Sequence, residues 1–266
     1  MSDFDPIELE MSIRTNAPSF IEDGRRLFIV ERDLLIGEDQ LLNYCQQFAV
    51  SSNPATSKIP GLVELTAAAI NGKPMRWMAG TILSWRANVA SFPQEKWASL
   101  IRGYTQQAAD EWNAVAKKHA LPISFEEADS ETSALFSIRY QPFPDGTYAV
   151  AFFPSQPLED RKVFVGPLMC NPDAAFDPIG VMRHELGHIL GFRHEHIRPE
   201  SPDQIERWVI GRISAEALTT YDRKSVMHYP LSAGHGTNDF KLTKRDKDGF
   251  AELYSISSDD VVECSP

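Results

Sequence analysis

The sequence is short of cysteine: Cys45, Cys170 and Cys264 are the only three in 266 residues. An odd and widely spaced set does not describe a disulfide framework. The chain is also short of cations. Lys and Arg number 26 against 37 Asp and Glu, a net charge of −11, which argues against nucleic acid or an anionic membrane as partner. No window approaches the roughly 20 apolar residues of a membrane span. Residues 1–5 have neither a basic start nor an apolar core, so no secretory signal is visible. Internal repeats are absent. What is present is ordinary for a globular chain, with 42 % hydrophobic residues. The length suits one large domain, or one domain with an appended segment.

One stretch carries distinct chemistry. Residues 184–194 read H-E-L-G-H-I-L-G-F-R-H, the long form H-E-x-x-H-x-x-G-x-x-H of a zinc-peptidase motif. Residues four apart on a helix share a face, so His184 and His188 can present two imidazoles to one metal ion. Glu185 points to a neighbouring part of that face, within reach of a metal-bound water. Gly191 follows one turn after His188, and glycine is the usual residue where a helix stops and turns. That turn lets His194 return as third ligand. Three protein ligands leave tetrahedral zinc one open position, the mark of a catalytic site. Two His and a Glu can share a solvated helix face by chance; the extended motif, with glycine where the geometry requires it, is far more specific.

A second stretch agrees. Residues 225–229 read Ser-Val-Met-His-Tyr, about thirty residues after His194. With this S-x-M-H-Y turn, and with Glu195 and Arg198 following the third histidine, the chain resembles the metzincin clan and, within it, the astacin-like family. The resemblance covers roughly residues 75–255. It implies an α+β metzincin catalytic domain: a twisted mixed sheet, a long backing helix, a zinc-binding active-site helix, a Met-turn and a C-terminal helix. The expected division is an N-terminal extension at 1–74 and the catalytic domain at 75–266. The implied activity is a zinc endopeptidase with one catalytic Zn2+ per chain and Glu185 as general base and acid. Tyr229 is implied as the donor to the oxyanion, and Met227 as the apolar floor beneath the ligands. A catalytically silent peptide-binding protein of the same fold and a matrixin-like peptidase are the alternatives. Family members are typically secreted with two disulfides, which three cysteines do not supply.

The element reading runs in order. Residues 1–26 read as an extended or disordered leader, 27–30 as a short strand, and 38–48 as a helix with Leu41, Cys45 and Phe48 on one face. Residues 51–61 read as a linker and 62–70 as a short helix. Residues 81–86 alternate as a strand. Residues 94–119 form a long amphipathic helix with Trp97, Leu100, Ile101, Tyr104, Ala108, Trp112 and Val115 on one face. Strands are expected at 123–126, 135–140 and 147–153. Asp177 and Pro178 open the zinc helix as N-cap and first residue. A short helix is expected around 205–213, Thr243 caps a closing helix, and the last dozen residues read as frayed.

By the same resemblance, a peptide or protein substrate lies extended along the edge strand at 147–153, with Tyr148 and Val150 as candidate contacts and Pro230 and Leu231 beside the side-chain pocket. A monomer is expected. His196 is expected in solvent or orienting a neighbour, His228 bonded within its turn, and His119 and His235 on the surface. The family's latency motif, F-x-G-D, is absent, though Asp33 and Asp39 lie in the right region. Cys45 is a candidate thiolate switch on the zinc, its apolar helix face arguing for a buried core position instead. Residues 1–74 are therefore either a removable inhibitory pro-segment or a permanent part of the fold.

Overall fold

In the computed structural model, residues 5–50, 64–70, 73–197, 201, 215–230 and 233–266 are described. The expected linker at 51–61 and the expected helix around 205–213 lie outside them, as do Arg198 and Leu231. The architecture is mixed helix and sheet, and its centre is a five-stranded sheet. Strands β6 (Thr81–Ala87), β7 (Ile123–Glu127), β8 (Phe136–Tyr140) and β10 (Lys162–Val165) run parallel, and the two-residue β9 (Ala149–Val150) closes the edge antiparallel, in the order β7-β6-β8-β10-β9. The long helix α3 (Glu95–Lys118) backs this sheet with Ile101, Ala108, Trp112 and Val115 buried. Leu100, expected on that face, is instead 41 % exposed. Helix α4 (Pro178–Ile189) packs against α3, and Trp112 donates from Nε1 to the Arg183 carbonyl at 3.0 Å.

Residues 5–26, expected to be extended or disordered, fold into a helix and strands. Helix α1 (Pro6–Asn16) starts with Asp5 as N-cap and Pro6 at its first position, the same Asp-Pro signal that opens α4. Strands β1 (Ser19–Glu22), β2 (Arg25–Val30) and β3 (Leu34–Gly37) form an antiparallel sheet, followed by helix α2 (Leu41–Val50). Few apolar side chains mark α1 at helical spacing, and only Ile13 is buried along it, so periodicity gives no signal there. Leu27, Ile29 and Leu35 pack with Phe143, Val150 and Phe164 of the body. Such burial contributes roughly 1.5–3 kcal/mol per side chain, so the leader docks through a core of its own.

Two further expectations change. Of the expected helix at 62–70, the described residues form a strand instead: β4 (Glu64–Ile70) lies between β11 (Ala215–Thr219) and β5 (Lys73–Trp77), and β5 pairs in parallel with β12 (Val262–Cys264). The alanine-rich helix former at 67–69 is overridden by pairing on both sides, which buries all three alanines completely. The supposedly frayed C-terminus supplies the outer strand of this sheet. The expected boundary at 74/75 therefore falls inside β5, a strand held by the chain's last elements. Helix α5 (Lys244–Ser255) has Thr243 as N-cap in a capping box with Asp246, as read from the sequence.

Candidate metal centre

Both ends of α4 are fixed, and this positions its histidines. Asp177 accepts from the Ile179 N–H at the start. At the end, Trp77 Nε1 donates to the Ile189 carbonyl at 2.7 Å and the Tyr254 hydroxyl to the Leu190 carbonyl at 3.1 Å, satisfying two orphaned helix-end acceptors. Gly191 has φ +105°, and a Cβ there would lie 2.7 Å from the Met75 carbonyl oxygen, so only glycine makes this turn. The chain returns and brings His194 to the other two rings. Ring centroids are 4.8 Å apart for His184–His188 and His188–His194, and 5.3 Å for His184–His194.

Hydrogen bonds set the ring tautomers. His184 Nδ1 donates to the Val226 carbonyl and His188 Nδ1 to the Phe192 carbonyl, both at 2.7 Å. A proton on each Nδ1 leaves each Nε2 with a bare lone pair. Burial pushes His188 down to about 4, against the pull of Asp33, so this ring is neutral near pH 7. The two Nε2 atoms are 3.2 Å apart. That matches the roughly 3.3 Å between donors of a tetrahedral zinc with bonds of about 2.0–2.1 Å. Asp33 completes the set, with His184 and His194 Nε2 at 3.1 and 3.0 Å from its Oδ2 and His188 Nε2 at 3.4 Å from its Oδ1. All four donor atoms lie within 4.8 Å of one another, all four residues are buried, and theirs is the cluster among the described residues able to hold a metal. Burial alone would raise the Asp33 carboxyl, but the facing imidazoles, His194 foremost, hold it well below the usual range. The donors thus fit zinc: the bare Nε2 atoms of His184 and His188, the Nε2 of His194 facing them, and a carboxylate.

Around them sits the rest of the expected machinery. Glu185 is buried, and its Oε2 has no hydrogen-bond partner among the described residues. Burial first, and then the Asp33 charge, raise its pKa well above the ordinary value. It lines a cavity of about 830 Å³ together with His184, Tyr148, Tyr229 and Pro230 on one side and leader residues such as Ile29 on the other. The Tyr229 hydroxyl donates to Asp33 Oδ2, and its ring stacks on His184 and His196. Met227 is fully buried under α4, its Sδ just 2.5 Å from where a Cβ on Gly187 would stand. Asp246 holds this turn from below, accepting from Ser225 Oγ at 2.6 Å, Val226 N at 2.9 Å and Thr243 N at 2.8 Å. Glu195 ties the return loop to it, donating from its N–H to the Met227 carbonyl and accepting from the Asp222 N–H.

Several expected residues lie elsewhere. Val150 is fully buried, packed with Phe164 of the sheet and Leu27 of the leader. Cys45 does not meet the imidazoles. It sits in an apolar cluster with Leu41, Phe28 and Tyr44, where burial pushes its thiol up to about 12 and leaves no thiolate. His196 is not in solvent but buried, stacked between His194 and Tyr229. His228 does bond within its turn, through Nδ1 to the Tyr229 carbonyl. His235 is half-buried and bonds Tyr221 rather than lying free on the surface. The edge strand is already paired: Leu35 N–H donates to the Ala151 carbonyl and Ala151 N–H to the Asp33 carbonyl, both at 2.8 Å, with Leu34 and Ala151 parallel. Asp33 had only its region to recommend it, and no local pattern sets it apart among 37 acidic residues.

No family model matches the chain. Bone morphogenetic protein 1 of Xenopus laevis is 26 % identical over 142 residues, covering 48 % of this chain and 18 % of that protein. Its homolog in Strongylocentrotus purpuratus is 39 % identical over 67 residues, covering 20 % of this chain and 10 % of that one. The chain thus spans less than a fifth of the length of either relative. Among solved structures, high choriolytic enzyme 1, a hatching enzyme zinc-protease from Oryzias latipes, aligns over 77 % of this chain and all of its own with TM-score 0.39 and 16 % identity. The GM1-bound ECX AB5 holotoxin aligns over 76 % of this chain and 94 % of its own with TM-score 0.46 and 12 % identity. The long histidine motif, the S-x-M-H-Y turn and these curated relatives agree in what the chain resembles: the astacin-like family of metzincin zinc metallopeptidases.

Proposed function

We propose that the chain is a zinc-dependent endopeptidase whose site is capped by its own leader, with His184, His188 and His194 as zinc ligands and Asp33 in the fourth position. The observation that carries this reading is the pair of Nδ1–H donations to backbone carbonyls, which turn two bare Nε2 atoms toward one point. Zinc, when bound, supplies a Lewis acid for the scissile carbonyl and lowers the pKa of a water toward 7. The chain's own residues do the remaining work. Glu185 takes the proton of the attacking water on its unpartnered carboxylate and delivers it to the leaving amine nitrogen. Tyr229, freed from Asp33, donates its phenolic hydrogen bond to the developing oxyanion. The 149–151 edge, freed from Asp33 and Leu35, pairs antiparallel with an extended peptide and fixes the scissile bond. Tyr148 and Pro230 line the side-chain pocket.

On this reading the cap is the leader up to residue 50, while β4 and β5 stay with the catalytic unit, because they pair with β11 and β12. A pure peptide-binding protein has no use for a buried, unpartnered Glu185. The test is Glu185→Ala in zinc-loaded protein with the leader removed. Zinc stays at one per chain by elemental analysis and peptide hydrolysis is lost; hydrolysis by that variant would contradict the mechanism.

A further inference from the structure

Arg193 stands immediately before His194, at a position where the zinc motif asks for no particular residue. Only 2 % of its side chain is exposed, and its Nη1 is 2.5 Å from Oε1 of Glu31, which is fully buried. Its guanidinium carbon lies 5.1 Å over the Phe153 ring, and the Tyr44 hydroxyl donates to the same Glu31 oxygen at 2.8 Å. A buried guanidinium is costly unless a carboxylate meets it. The body therefore presents a cation that is matched only when the leader is in place.

The leader is bent to make this match. Glu31 and Arg32 both adopt left-handed backbone angles, φ +47° and +72°. Neither is glycine, and each holds a backbone conformation that L side chains rarely adopt. The turn they form sends Glu31 to Arg193 and Asp33 to the imidazoles, two carboxylates two residues apart on adjoining parts of one loop. Some of the leader's other ion pairs are far more open to solvent. In Lys162–Asp23 and Arg25–Asp39 the acid side chains are 60 % and 59 % exposed, where water screens the attraction.

We infer that Arg193 is a carboxylate-binding position on the zinc loop and that Glu31 is its resident ligand, forming a metal-independent latch that holds the leader turn and positions Asp33. The latch rests on the capping reading above. It differs from the aspartate contact in needing no metal. It also ties the cap to the loop that carries His194.

The experiment is hydrogen exchange on the metal-free full chain, comparing wild type with Glu31→Gln and Tyr44→Phe. The amides of Leu35 and Ala151 report the pairing of leader and edge strand, and the amide of the fully buried Leu83 in β6 reports global opening. Glu31→Gln is expected to speed exchange at Leu35 and Ala151 by roughly tenfold or more, with Leu83 unchanged. Tyr44→Phe, which keeps the pair and removes one donor, is expected to act in the same direction and less. Unchanged exchange at Leu35 and Ala151 would overturn the latch. Equal acceleration at Leu83 would overturn it as well, since the pair would then be part of the general core. Neither metal nor hydrolysis enters the readout, so failure of the peptidase reading and failure of the latch are separate results.

Discussion

The two halves of the metal centre are held in different ways. The histidine half is supported from within one stretch of chain: His184 leans on the Val226 carbonyl, His188 on the Phe192 carbonyl, and the turn beneath them is fixed by Asp246. The aspartate half arrives from 151 residues earlier on the turn between β2 and β3. Its supports are leader contacts: the pairing of Asp33 and Leu35 with Ala151, the Glu31–Arg193 pair, and a small apolar interface. None of these supports of the first half comes from the leader. A site so divided can keep its metal while losing its cap, which is the arrangement a latent enzyme requires.

The largest expected effect breaks the permanent half. His188→Ala removes a donor that nothing nearby replaces, so zinc falls from one per chain to none at micromolar metal, measured by elemental analysis after dialysis. Tyr229→Phe touches both halves. In leader-free protein it is expected to lower kcat on the order of a hundredfold with little change in KM, because its contact belongs to the transition state; a change confined to KM would remove it from that role. Gly187→Ala sharpens the comparison by disturbing only the histidine side. A new Cβ would stand 2.5 Å from Met227 Sδ, and overpacking of this kind costs about 1–3 kcal/mol. At about 2–4 °C per kcal/mol for a chain of this size, a fall of several degrees in Tm is expected, with the leader still docked by proteolytic protection. The smallest effect is expected at Cys45. With its thiol pushed up to about 12 and its side chain buried, it is inert to iodoacetamide at neutral pH, and Cys45→Ala leaves latency unchanged. Activation by alkylation of Cys45 would return the cap to the thiol.

The same division decides what could be read from the sequence. The histidines, Glu185, Gly191 and the 225–229 turn were legible because local geometry compresses them into short motifs. Helix α3 and strands β6, β7 and β8 were legible from their periodicity. Asp33 was not, because a carboxylate becomes a metal donor only through the long-range pairing of Leu35 with Ala151, which leaves no local trace. Helix α1 was missed for a different reason. Its Asp5-Pro6 start is as clear as Asp177-Pro178, but without an apolar stripe behind it the start signal alone did not read as a helix. The 67–69 alanines misled in the opposite direction, since their helix propensity is weaker than the pairing of β4 on both edges.

On the proposed reading, a competent zinc peptidase lies beneath a carboxylate cap. The most direct measurement is digestion of a diverse peptide library, read by mass spectrometry, by zinc-loaded wild type, Asp33→Ala and the double variant Asp33→Ala/Glu185→Gln. Cleavage by Asp33→Ala is expected on the order of a hundredfold above wild type, as for loss of an intramolecular blocker, and none by the double variant. An Asp33→Ala protein that carries one zinc per chain, with its leader displaced, and still cleaves nothing would contradict it.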